Sequence, residues 1–150
     1  MTQEKNMEKY EAYKSMNENL TKAMQSEFYY QAIFIEYAII EDRCTSVLKH
    51  AGIPYQNDIG HDISISQKIR KMRDNPTFHI AYIRQRITVE LLEEIIVWKR
   101  ERDRLIHALA KIPYNHESIK NTAIIGQELA KKLSSIVRSV NAYYQKNSKQ

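Results

Sequence analysis

Residues 27–51 read EFYYQAIFIEYAIIEDRCTSVLKHA. Ile33, Tyr37, Ile40, Cys44, Val47, Leu48 and Ala51 recur at intervals of three and four, the period of one helical face. Gly52 and Pro54 follow, in the order in which helices end. The first half is apolar on its other faces too, through Phe28, Phe34, Ile35, Ala38 and Ile39. A helix apolar all round is either central in a bundle or packs against another subunit.

Outward from this stretch the same period recurs. Residues 116–146 carry Ile119, Ala123, Leu129, Leu133, Ile136, Val137, Val140 and Tyr144 on one side. Residues 3–24 show a weaker stripe of Tyr10, Tyr13, Leu20 and Met24, and Ile65, Ile69 and Met72 mark a short helix over 64–73. A long helix is expected over 78–111, with Ile80, Ile87, Leu91, Ile95, Trp98, Leu105, Ile106 and Leu109 as its stripe. The chain has only three Gly and three Pro in 150 residues, too few for the many turns of a sheet protein. The expected fold is all-α: one domain over 1–150, an antiparallel up-and-down bundle of four main helices plus one short helix.

Composition narrows the class. The single cysteine, Cys44, excludes a disulfide framework and a Cys-based zinc site, and reads as a packed thiol. The opening MTQEKNMEKYEAYK has no apolar h-region, and the run from Phe28 to Ile40 is too short to span a bilayer. A cytoplasmic protein without a membrane partner is expected. The net charge of +5 is uneven: residues 64–86 hold Lys68, Arg70, Lys71, Arg73, Arg84 and Arg86 against Asp74 alone. Such a balance suits a polyanion partner such as RNA, and equally a set of solvated basic faces.

The segment richest in chemistry is Trp98-Lys99-Arg100-Glu101-Arg102-Asp103-Arg104-Leu105-Ile106-His107. Arg102 falls near the centre of the apolar stripe, where a guanidinium needs acceptors. One reading pairs it with Glu36 inside the core; the other sets it at a cleft edge to grip phosphate with its planar fork. Asp103 and His107 stand four apart, so the carboxylate is placed to accept from the imidazole and fix its tautomer. An oriented His beside a phosphate-gripping Arg suffices to cleave RNA without metal. One moves a proton at the 2′-hydroxyl or leaving oxygen; the other steadies charge on the phosphorane.

Trp98-x3-Arg102-Asp103-x-Leu105-Ile106-His107 resembles the Arg-x(4–6)-His motif of HEPN domains, and Tyr29 through Tyr37 with Glu41-Asp42-Arg43 is similar to an early helix of such proteins. The resemblance implies a helical, homodimeric domain acting as a metal-independent endoribonuclease in toxin–antitoxin or phage-defence systems. It implies Arg102 and His107 as catalytic, Asp103 as the supporting polar residue where Asn is commoner, and Glu36 and Arg43 as further supporting residues. The partners it implies are RNA, a second copy, and an antitoxin or regulatory protein. The alternative is the same fold without catalysis, a nucleotide- or nucleic-acid-binding or protein-interaction module. Spacing alone does not single out this pair, because Arg43-x6-His50 and Arg73-x5-His79 also fit. Pro76 interrupts the latter, and His50 sits at a helix end where the dipole favours it.

No metal or cofactor is expected. A di-metal carboxylate bundle wants Glu-x-x-His on two helices, and Glu90 is followed by Glu93 where a His is needed. There is no P-loop. Residues five apart on a straight helix point about 140° away from each other. Arg102 and His107 therefore converge on one phosphate if the helix is distorted there or if a second chain supplies half of the site; a two-fold dimer is expected, with His107 of each subunit near the axis.

Overall fold

The computed structural model describes residues 3–111, 113 and 115–148. Among these the chain forms six α-helices and no strand. They are α1 (Gln3–Gln25), α2 (Tyr29–His50), α3 (Ile65–Asp74), α4 (Ala81–Arg84), α5 (Val89–His107) and α6 (His116–Asn147), with a 3-10 turn over Pro76–His79. The four long helices α1, α2, α5 and α6 with short α3 make the expected all-α bundle. Among the described residues no helix is long and apolar enough to cross a membrane.

Side-chain contacts fix the helix directions. Tyr13 meets Asp42 and Arg43, so α1 runs against α2. Tyr37 packs near Trp98 and Phe34 beside Arg102, so α5 also runs against α2. Along α6, His116 meets Tyr29, Gly126 faces Glu36 and Asn141 donates to Ser46 Oγ; α6 is therefore parallel to α2. Successive long helices alternate, yet the most extensive contact is within the parallel pair α2 and α6. Gly126 permits it: a Cβ there would lie 2.1 Å from Glu36 Oε1 and 2.7 Å from Trp98 Nε1. Around that point Ile33, Ile40 and Val47 of α2 are fully buried, as are Leu133, Val137 and Val140 of α6.

The helix expected over 78–111 is instead three pieces. Ile80 is extended at ψ 131, α4 is one turn, and α5 begins only at Val89. Thr88 caps it, its hydroxyl accepting from Leu91 N–H at 3.1 Å. Arg84 fills the break by donating to the carbonyls of Met72, Arg73 and Ile87. The stripe accordingly holds from Ile87 to Leu105, whereas Ile80 and Leu109 are exposed. Tyr10, read as part of the α1 stripe, is also exposed, because α1 lies on the core mainly through Leu20 and Ala23. The connection before α3 is held by a fully buried Lys68, which donates to Thr45 Oγ1 at 2.8 Å and Asp62 Oδ2 at 3.1 Å. Lys68 and Arg84 of the basic 64–86 segment are thus committed to the fold.

Gly126→Ala tests the α2–α6 contact. Overpacking costs roughly 1–3 kcal/mol, against about 1 kcal/mol gained in helix propensity. We expect a net loss of stability in urea denaturation. In a Glu36→Ala background, where the obstructing carboxyl is gone and the Trp98 indole at 2.7 Å is left as the remaining close neighbour, the same substitution should cost less. Additive effects would show that the contact does not limit the approach of the helices.

Candidate functional site

Arg102 sits on the α2-facing side of α5, where its guanidinium carbon lies 4.1 Å from the centre of the Tyr37 ring and 5.7 Å from that of Phe34. These rings come one helical turn apart on α2, so the sequence supplies a ready aromatic shelf. Arg102 Nη1 donates to Asp103 Oδ1 at 2.9 Å, and its side chain is 17% exposed. Its Nε is buried and finds no acceptor among the described residues. The guanidinium is therefore anchored at one corner, stacked on one face, and left with most of its five donors unused.

Asp103 does not serve His107. Its second oxygen takes Lys99 Nζ at 2.8 Å, one turn back along α5. Burial pushes the Asp103 pKa up, but the hydrogen bonds from Lys99 and Arg102 outweigh it and hold the carboxyl below its usual range. Two permanent cations win over an imidazole because each brings a full charge to the bond. The polar residue after the arginine thus positions Arg102. His107 ends α5 as an exposed side chain with no hydrogen bond among the described residues. The helix is regular from Arg102 to His107, so the two remain apart in one chain.

Glu36 is not the partner of Arg102. It lies about 100° round α2 from Tyr37, against Gly126 and beside Trp98, whose indole N–H donates to the Thr122 carbonyl at 2.9 Å. The carboxyl is fully buried, and neither oxygen has a hydrogen-bond partner among the described residues. Burial alone lifts its pKa to about 9, so it is a neutral acid at pH 7. Nothing in the sequence marks it as unpaired. A Glu in an apolar helix signals burial, but which neighbour it meets depends on how the helices are rotated.

Arg43 belongs to a third place, the α1 side of α2. Its Nε donates to Tyr13 Oη at 2.8 Å and its Nη2 to Asp42 Oδ2 at 2.7 Å, while Tyr13 Oη donates to the same Asp42 oxygen. Burial, then the Asp42 carboxylate, raises the Tyr13 pKa well above its ordinary value, so the phenol stays protonated. Cys44 is wholly buried, which pushes its thiol up to about 12 and leaves it inert. Among the described residues no three His, Cys, Asp or Glu side chains converge as a metal site. Of the residues singled out from sequence, only Arg102 and Asp103 come together. The aromatic shelf of Phe34 and Tyr37 was not singled out, although its spacing opposite the Arg is visible. Compared with known protein families, curated proteins and solved structures, the chain matches none.

The buried acid gives a pH signature. Its folded pKa of about 9 lies above the value near 4.3 of an unfolded chain, so the folded state keeps a proton the unfolded state loses. The resulting stability is fully present below about pH 4 and is lost as pH rises towards 9. Urea denaturation should show stability falling by roughly 1 kcal/mol per pH unit across that window from this group. Glu36→Gln, which cannot ionise, should flatten the fall. Equal slopes for the two proteins would mean that Glu36 finds a partner or water in solution.

Proposed function

We propose that this protein is a metal-independent endoribonuclease of the HEPN type that works as a homodimer. The observation that carries the reading is the state of Arg102: stacked on Tyr37, aimed by Asp103, and short of acceptors. A phosphate oxygen is the acceptor its planar fork suits. The exposed His107 is free to move a proton. In the reaction the RNA 2′-oxygen attacks its own 3′-phosphorus, its proton passing to a base, while the 5′-oxygen departs and takes up a proton. The products are a 2′,3′-cyclic phosphate and a 5′-hydroxyl end. Arg102 steadies the added negative charge on the phosphorane and His107 carries one of the two protons.

One chain holds these two residues about 140° apart on α5, so the active unit needs a second copy. The half-exposed Phe34, with Ala38 beside it in exposure, gives α2 an apolar face for that copy next to Arg102. A toxin or defence role, an antitoxin partner and a cytoplasmic setting belong to the same reading and follow from the motif's resemblance alone.

Incubation with single-stranded RNA in the presence of EDTA tests the activity, with cyclic-phosphate ends as the expected product. His107→Ala, an exposed substitution, should melt like wild type and lose about 10²–10⁴-fold in rate. Arg102→Lys should keep the charge and lose most activity. Mixing His107→Ala with Arg102→Ala chains should restore part of the activity in the heterodimer. A folded His107→Ala protein with full activity, or a fully active monomer, would overturn the reading. Salt-dependent RNA binding without cleavage would instead favour the non-catalytic module.

A further inference from the structure

α1 and α6 run in opposite directions on either side of α2 and do not close on each other. Between them lies a groove of about 980 Å³ whose floor includes Arg43 and Asn141. Its volume is at the upper end of the roughly 300–1,000 Å³ typical of ligand clefts. The walls are basic on both sides: Lys9 and Lys14 project from α1, Lys131 and Arg138 from α6, and the acid among the lining residues is Glu18. Lys14, Lys131 and Arg138 form no ion pair among the described residues. The Asp42 carboxylate near the floor is already shared by Arg43, Tyr13 and, at 3.8 Å, Lys9.

One further feature says what kind of anion fits. Tyr10 stands on the lip of the groove with 65% of its surface exposed, a flat ring with nothing stacked on it among the described residues. Asn141 at the floor is committed to the fold, its amide nitrogen donating to Ser46 Oγ at 3.0 Å and its Oδ1 buried, which leaves the cations and the ring to meet a ligand. We propose that this groove binds a short run of single-stranded RNA. Phosphates lie between the α1 and α6 cations, and a base stacks on Tyr10. An acidic protein segment would answer the charges but would leave the Tyr10 ring without a stacking partner.

The groove lies across α2 from Arg102, since Arg43 is about 120° round that helix from Tyr37. It is thus a holding site separate from the cleavage site. The proposal rests on the ribonuclease reading only in taking RNA as the strand that arrives.

The test uses the full chain and a fluorescent 2′-O-methyl oligouridylate, which lacks the attacking hydroxyl and cannot be cut. Anisotropy titrations at several salt concentrations should show binding that weakens steeply with salt. Lys131→Glu with Arg138→Glu should weaken binding at least tenfold and lower the log–log salt slope by about two. Tyr10→Ala should weaken binding about fivefold or more while leaving that slope unchanged. Arg70→Glu, outside the groove, should bind like wild type. All three groove residues are exposed, and the Gln versions of the two cations provide a second set should the Glu versions melt early. Groove variants that bind like wild type would overturn the proposal, as would tight binding of polyglutamate with none of the oligouridylate. Loss of cleavage in His107→Ala with oligouridylate binding intact supports the groove independently. Binding retained in a wild-type protein that never cuts RNA would sink the ribonuclease reading and leave the groove standing.

Discussion

The close approach of α2 and α6 is the constraint on which the rest of the molecule depends. Two parallel helices meet over most of their length because Gly126 offers no side chain where Glu36 and Trp98 come in. The benefit is the burial of Ile33, Ile40 and Val47 against Leu133, Val137 and Val140, at about 25 cal/mol per Å² of apolar surface. The cost is a carboxyl sealed away from water without a partner among the described residues. Protonation removes most of that cost, since a neutral acid is far less expensive to bury than a carboxylate. Trp98 sits beside the same point but satisfies its indole N–H on the Thr122 carbonyl. One helix from each neighbouring layer is thereby referred to a single spot on α2.

With α6 fixed on one side, α2 has two other sides to present, and they differ in chemistry. Towards α5 it offers the rings of Tyr37 and Phe34, on which Arg102 lies. Towards α1 it offers Asp42 and Arg43, which clasp Tyr13 and leave the groove beyond open. Both arginines rest on a tyrosine ring and are aimed by a neighbouring aspartate, yet they end differently. Arg43 spends Nε and Nη2 on α1 and on its own helix, so it works as a clasp. Among the described residues Arg102 spends only Nη1, and its Nε is unmatched. That difference in remaining donors, more than position in a motif, separates a structural arginine from one suited to an incoming anion.

The helical periodicity of 27–51 and 116–146 was enough to identify α2 and α6, because each buries most of its stripe, and Gly52 at φ 73 closes the first. The break between 80 and 88 was hidden for the opposite reason. Ile80, Ile83 and Ile87 continue an apolar spacing through it, with no Gly or Pro inside to announce a stop. Thr88 with Glu90 in the following turn was the available sign of a fresh start. Tyr10 misleads in another way: a stripe marks where a helix could pack, and α1 leaves the core before reaching it. Pairings were the least legible. The i and i+4 rule placed Asp103 next to His107 and Lys99 alike, and charge decided between them.

This choice bears on how a site could be assembled. With Asp103 turned back towards Lys99 and Arg102, no hydrogen bond among the described residues orients His107. A histidine left exposed at a helix end is a poor catalyst alone, because its ring samples several rotamers and faces bulk water. Arg102 has the complementary deficiency, a nearly enclosed guanidinium with donors to spare. A second copy laid on the Phe34 face would answer both by bringing acceptors to the arginine and walls to the imidazole. The cost of the unmatched Nε, on the order of 1–3 kcal/mol for a buried donor, would then be recovered on association rather than on folding. Under the dimeric reading, that deficit couples assembly of the site to the arrival of its partner and its phosphate.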